Sequence, residues 1–169
     1  MQIEHLIREL KKNKEVFGKL LYGLPSELYY WKQKPEKWCL LEITCHLYDE
    51  EREDFKARVK HILESPELTL NPIDPVGWVS EREYSKQDYN LKLNNFLNER
   101  EKSIEWLSKL ESPNWDNVHR HPKIGNMTAK MVLANWVAHD YLHLRQIIKL
   151  NYDYLKSLTG GDLSYAGEW

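Results

Sequence analysis

Four stretches of this chain repeat apolar residues at three- and four-residue spacing, and each is closed off by glycine or proline. That is the period of an α-helix with one buried face, and no run alternates apolar and polar residues in a way that specifies a sheet. In the first stretch, about 2–22, Ile3, Leu6, Ile7, Leu10, Phe17, Leu20 and Leu21 share a side, and Gly23 before Leu24-Pro25 ends it. The second, about 39–64, carries Leu40, Ile43, Leu47, Tyr48, Phe55, Val59 and Ile62 as far as Ser65-Pro66. Ser85 and Asp88 form a capping pair for the third, about 86–110, whose core face is Tyr89, Leu93, Phe96, Leu97, Ile104 and Leu107. The fourth, about 127–150, starts where Asn126 or Thr128 can cap it. The expectation is a single all-α domain over 1–169, a four-helix bundle. Residues 151–169 form a tail packed on its body through Tyr152, Tyr154, Leu155, Leu158, Tyr165 and Trp169.

The connections carry their own information. Residues 65–85 hold Pro66, Pro72, Pro75 and Gly77 without a helical period, long enough for a crossover that lets the third helix run in the same direction as the second. Trp78 is expected to cover the bundle there, and Tyr29, Tyr30 and Trp31 to cover one end. Residues 112–125 read as a loop.

Chemistry enters with His139 and His143, four residues apart on the row Val132, Trp136, His139, His143, Ile147 and Leu150. Stacked imidazoles on an otherwise apolar row face other protein and can share one ion. His46 in the second helix is the best third ligand, because a bundle can bring side chains of two helices onto an ion between them. Three neutral imidazoles hold zinc or nickel and leave positions open for water or substrate. Glu42 and Glu50 flank His46 at i−4 and i+4, where either can orient an imidazole or act as a base. Asp140 follows His139 directly, points about 100° away from it and is no obvious base. The spacing lacks the glutamate of H-E-x-x-H, so by itself it leaves a metal site and a pair of hydrogen-bonded core histidines both open. Arg100 lies on the apolar stripe of the third helix, either paired with a carboxylate or facing a cavity as an anion anchor. His5 and His61 read as surface residues, and His119 and His121 as loop residues.

Composition excludes some partners. A net charge of −2 gives no basic face for nucleic acid, and no apolar run approaches the roughly 20 residues of a membrane span. Cys39 and Cys45 lie six residues apart on one helix, about 9 Å, too far for a disulfide; reduced thiols suit the cytoplasm.

Three motifs carry a resemblance: Trp38-x-x-x-Glu42-x-x-x-His46-Leu47-x-Asp49-x-Glu51, His121-Pro122-x-x-Gly125-x-Met127-Thr128, and His139-Asp140-x-x-His143-x-x-Gln146-Ile147. With these the chain resembles, over nearly its whole length, the DinB-like or YfiT-like family of small bacterial four-helix proteins. The resemblance implies an up-down-down-up bundle and a divalent metal, often nickel or zinc, on His46, His139 and His143. It also implies a homodimer in many members. Relatives of this kind include metal-dependent hydrolases and transferases that use a low-molecular-weight thiol. A hydrolase would use Glu50 or Glu42 as base, and a thiol transferase would anchor its thiol at Arg100. The substrate is then a small molecule; the alternative is a non-catalytic metal-binding or interaction bundle.

Overall fold

The structure, a computed structural model, describes residues 2–167. Its long helices are α1 (Gln2–Leu21), a second helix running as α3 (Leu40–Glu50), a π-helical segment (Glu51–Phe55) and α4 (Lys56–Glu64), then α6 (Tyr89–Ser108) and α7 (Ala129–Thr159). Short helices α2 (Ser26–Tyr29) and α5 (Trp78–Glu81) lie in the connections. Gly23 takes φ +71°, the left-handed conformation that ends α1 at low cost.

Side-chain partners fix the sense of each helix. Along α1 and α6 the pairs Tyr22–Asn94 and Lys14–Glu101 run in opposite senses. Asn13 meets Asp140 and Glu9 meets Tyr141, which places α1 alongside α7. Tyr48 near Lys92 and Glu51 bonded to Arg100 set the second helix parallel to α6. His46 near His143 and Phe55 stacked on Trp136 set it antiparallel to α7. The bundle therefore has two parallel central helices joined by the long connection. Part of that connection is ordered: Trp78 is buried, and Tyr84 Oη donates to Asp49 at 2.7 Å.

Several boundaries differ from the sequence reading, each for a local reason. Asp88 caps α6 by accepting from the Leu91 amide at 2.6 Å, while Ser85 lies in a separate 3₁₀ turn. Thr128 caps α7. That helix does not stop at Leu150: nothing breaks it before Gly160, which takes φ +59°. The expected tail thus begins as helix. Tyr154 packs edge-on to Trp31, whereas Leu155, Leu158 and Tyr165 are exposed, and Trp169 lies outside the described residues. The expected loop at 112–125 ends in a hairpin, β1 (Val118–His121) and β2 (Gly125–Thr128), with His119 opposite Met127. Strands of four residues are too short to show an alternation in sequence.

The π-helical segment corrects the phase of the second helix. Leu47 and Phe55, both buried, are eight residues apart, which overshoots two α-turns by about 80°. A π-turn absorbs one extra residue, about 100°, and returns Phe55 to the buried face.

Two apolar clusters fill the interior, one around Leu21, Leu40, Leu93 and Leu150, the other around Leu10, Val59, Ile104 and Val132. Between them lies a polar layer. Arg100, 1% exposed, donates from both terminal nitrogens to the Asp140 carboxylate at 2.7 and 2.8 Å and from Nε to Glu51 Oε2 at 2.8 Å. Asn13 Nδ2 donates to Asp140 Oδ2, and Trp136 Nε1 to Glu51 Oε2. All four long helices thus contribute. Burial pushes the Glu51 carboxyl up, against the opposing pull of the Arg100 guanidinium. Replacing Arg100 by Met strands the Asp140 carboxylate in the core. Urea unfolding is expected to show a loss of about 3–5 kcal/mol, far above the effect of Lys102→Met on the exposed face of α6.

Candidate metal centre

α3 and α7 cross beside the polar layer, and three imidazoles meet there. His139 Nε2 lies 3.0 Å from His143 Nε2 and 3.4 Å from His46 Nε2. Each of the three offers a ring nitrogen within 4.8 Å of the others. Nitrogens bound at about 2.05 Å to one ion, at tetrahedral to octahedral angles, stand about 2.9–3.4 Å apart. The two separations from His139 therefore match those that a shared ion imposes.

Protonation favours the same reading. Gln146 Oε1 accepts from His143 Nδ1 at 2.8 Å, which leaves the Nε2 lone pair directed into the cluster. The Trp38 ring lies 5.0 Å from that of His46, and Phe55 lies 4.9 Å from that of His139. Burial, followed by the neighbouring His143, depresses His46 to about 3 and His139 to about 2; burial also lowers His143. All three rings are neutral at pH 7, the form that binds metal.

The flanking carboxylates are not equivalent. Glu42 closes the first turn of its own helix by accepting from the Cys39 amide at 2.9 Å and pairs with Lys32 at 2.7 Å. Glu50 is buried one turn after His46, and burial together with nearby Asp54 raises it to about 8. Arg100, read from sequence as either a carboxylate partner or an anion anchor, is the former here: it is buried and bonded to Asp140 and Glu51. Asp140 does point away from the imidazoles, toward Arg100.

The remaining histidines stay apart from the cluster. His5 is exposed. His61 Nε2 donates to the Leu68 carbonyl, and buried His119 donates from Nδ1 to that of Pro66. His121 Nδ1 accepts from the Lys123 and Ile124 amides. His61 and His119 thus link α4, the long connection and the hairpin, while His121 braces the hairpin's own turn. Sequence reasoning missed Asn13, Glu51 and Asp140 as members of a buried layer. The available signal was Arg100, since a guanidinium on an apolar stripe requires an internal carboxylate.

The DinB superfamily pattern matches residues 9–147. Among solved structures, the chain is similar to YfiT from Bacillus subtilis, described as "a probable metal-dependent hydrolase with an unusual four-helix bundle topology". The TM-score is 0.77 at 16% identity, over 95% of this chain and 89% of that one, a likeness of fold. No curated protein matches.

The neutral histidines make the metal-free protein acid-sensitive. Their folded pKa values lie below the ordinary value near 6.5, so the unfolded chain takes up more protons as pH falls. Their contribution is complete above about pH 6.5 and declines below it by up to about 1.4 kcal/mol per pH unit for each ring. Melting curves of the metal-free protein from pH 8 to pH 4 should show this slope, and His139→Phe should make it shallower.

Proposed function

Because the chain belongs to the DinB superfamily, we propose that it is a metal-dependent hydrolase holding one divalent ion, zinc or nickel, on His46, His139 and His143. The observation that carries the reading is the separation of 3.0 and 3.4 Å between neutral, convergent Nε2 atoms. Borderline nitrogen donors suit either metal, and three protein ligands leave open positions. A bound ion of this kind polarises a carbonyl and lowers the pKa of a coordinated water.

The protein's own groups divide the remaining work. Gln146 holds His143 in the tautomer that presents Nε2, and Trp38 and Phe55 keep water from two of the rings. Glu50, buried one turn after His46 and raised to about 8, holds its proton at pH 7 and becomes the candidate base as the pH rises through that value. Glu42 is committed to its helix end and to Lys32. The thiol-transfer reading loses the anchor assigned to it, because Arg100 is sealed inside the bundle. Hydrolysis is therefore placed first.

Elemental analysis of protein purified without a histidine tag should give near one equivalent of zinc or nickel, lost in His143→Ala. Retained stoichiometric metal in the His46, His139 and His143 alanine variants alike would sink the assignment. Glu50→Gln should keep the metal and lower kcat on hydrolysed esters or amides by about 10²–10⁴-fold. We further propose a homodimer, supported by Tyr141, Ile148 and Leu155, exposed at seven-residue spacing on the outside of α7. Light scattering should report twice the chain mass, and Ile148→Glu should reduce it to one.

A further inference from the structure

A cavity of about 600 Å³ opens beside the histidine cluster, with His143 in its wall. Trp38, whose ring packs against that of His46, forms another part of the wall, so two groups lining this space also touch the candidate metal centre. The volume falls in the range of small-molecule pockets, about 300–1,000 Å³.

The lining has two characters. Trp38, Leu142 and Leu150 supply apolar surface, and Lys37, Arg145 and Lys149 bring positive charge to its edge. Among the described residues Asp153 is the only carboxylate in the lining, and it pairs with Lys149. Lys37 and Arg145 have no carboxylate partner among the described residues. A chain with net charge −2 thus places in the lining of one cavity two cations that no carboxylate among the described residues pairs with. Beside other helix interfaces Lys14 pairs with Glu101 and Lys56 with Glu99. Unpaired cations around an apolar pocket attract and orient an anion, and the apolar wall accepts the rest of the molecule.

We propose that this cavity binds a small organic anion, a carboxylate or phosphate carried on a short apolar body, with the anionic end at Lys37 and Arg145. The inference rests on the preceding functional reading only for where the reacting group lies, which is the His143 end of the cavity. Recognition of the anion uses residues that hold no metal. Lys37 and Arg145 therefore set substrate class and positioning.

The test separates the two claims. Hexanoate, hexyl phosphate and hexanol are titrated into the metal-free protein and, separately, into zinc-loaded protein. The shift of the Trp38 indole NMR signal is followed, assigned with Trp38→Phe. Both anions, or one of them, should bind more tightly than hexanol in metal-free and loaded protein alike. The Lys37→Ala/Arg145→Ala double variant, altered only at exposed positions, should weaken the anions by about fivefold or more and leave hexanol unchanged. The stronger of hexanoate and hexyl phosphate identifies the head group. Hexanol binding as well as the anions, equal anion affinity in the double variant, or no binding of either anion would each overturn the proposal. Failure of the metal site is read independently, as absence of zinc uptake, and leaves the anion result standing.

Discussion

Arg100 and Asp140 form the contact on which the bundle's interior depends. A fully buried guanidinium is tolerated only when its charge is met, and the Asp140 carboxylate meets it with two bonds. The pairing fixes the rotation of α7 about its axis. Because His139 precedes Asp140 by one residue, it also sets the direction in which the metal-binding row faces. Glu51, bonded to the same guanidinium, does the equivalent for the second helix, five residues after His46. The imidazoles converge because the layer beside them is locked.

The polar layer costs stability that two apolar clusters must supply, and its value lies in uniqueness. Leucine-rich helices can slide or rotate against one another with little penalty, whereas a misplaced Arg100 would face an apolar neighbour. Asn13 extends the restriction to α1, so no helix of the four is free to choose its own phase.

Much of this was legible in the sequence. Four amphipathic segments gave the helices, and the spacing of His139 and His143 gave two members of the cluster, because helical period is a local property. His46 was reachable since a third imidazole had to lie on an apolar face elsewhere. What stayed hidden depends on contacts between distant segments or on very short elements. The partners of Arg100 come from two other helices, with Asn13 of a third bonded to Asp140, and the hairpin at 118–128 has strands of only four residues. The continuation of α7 to Thr159 was obscured by aromatic residues that read as tail packing, although Gly160 marks the stop.

The π-helical segment has a consequence for how such a site can change. It stores one surplus residue inside a continuous helix, between the half that carries His46 and the half that faces the hairpin. A loop would let these halves drift apart gradually. A hydrogen-bonded turn does not, so gaining or losing a residue there rotates one half against the other by a full residue step, about 100°. Divergence within this architecture is therefore stepped: the face that α4 turns toward α7 and the hairpin can be exchanged wholesale by a single insertion or deletion, while point substitutions refine whichever face is in place.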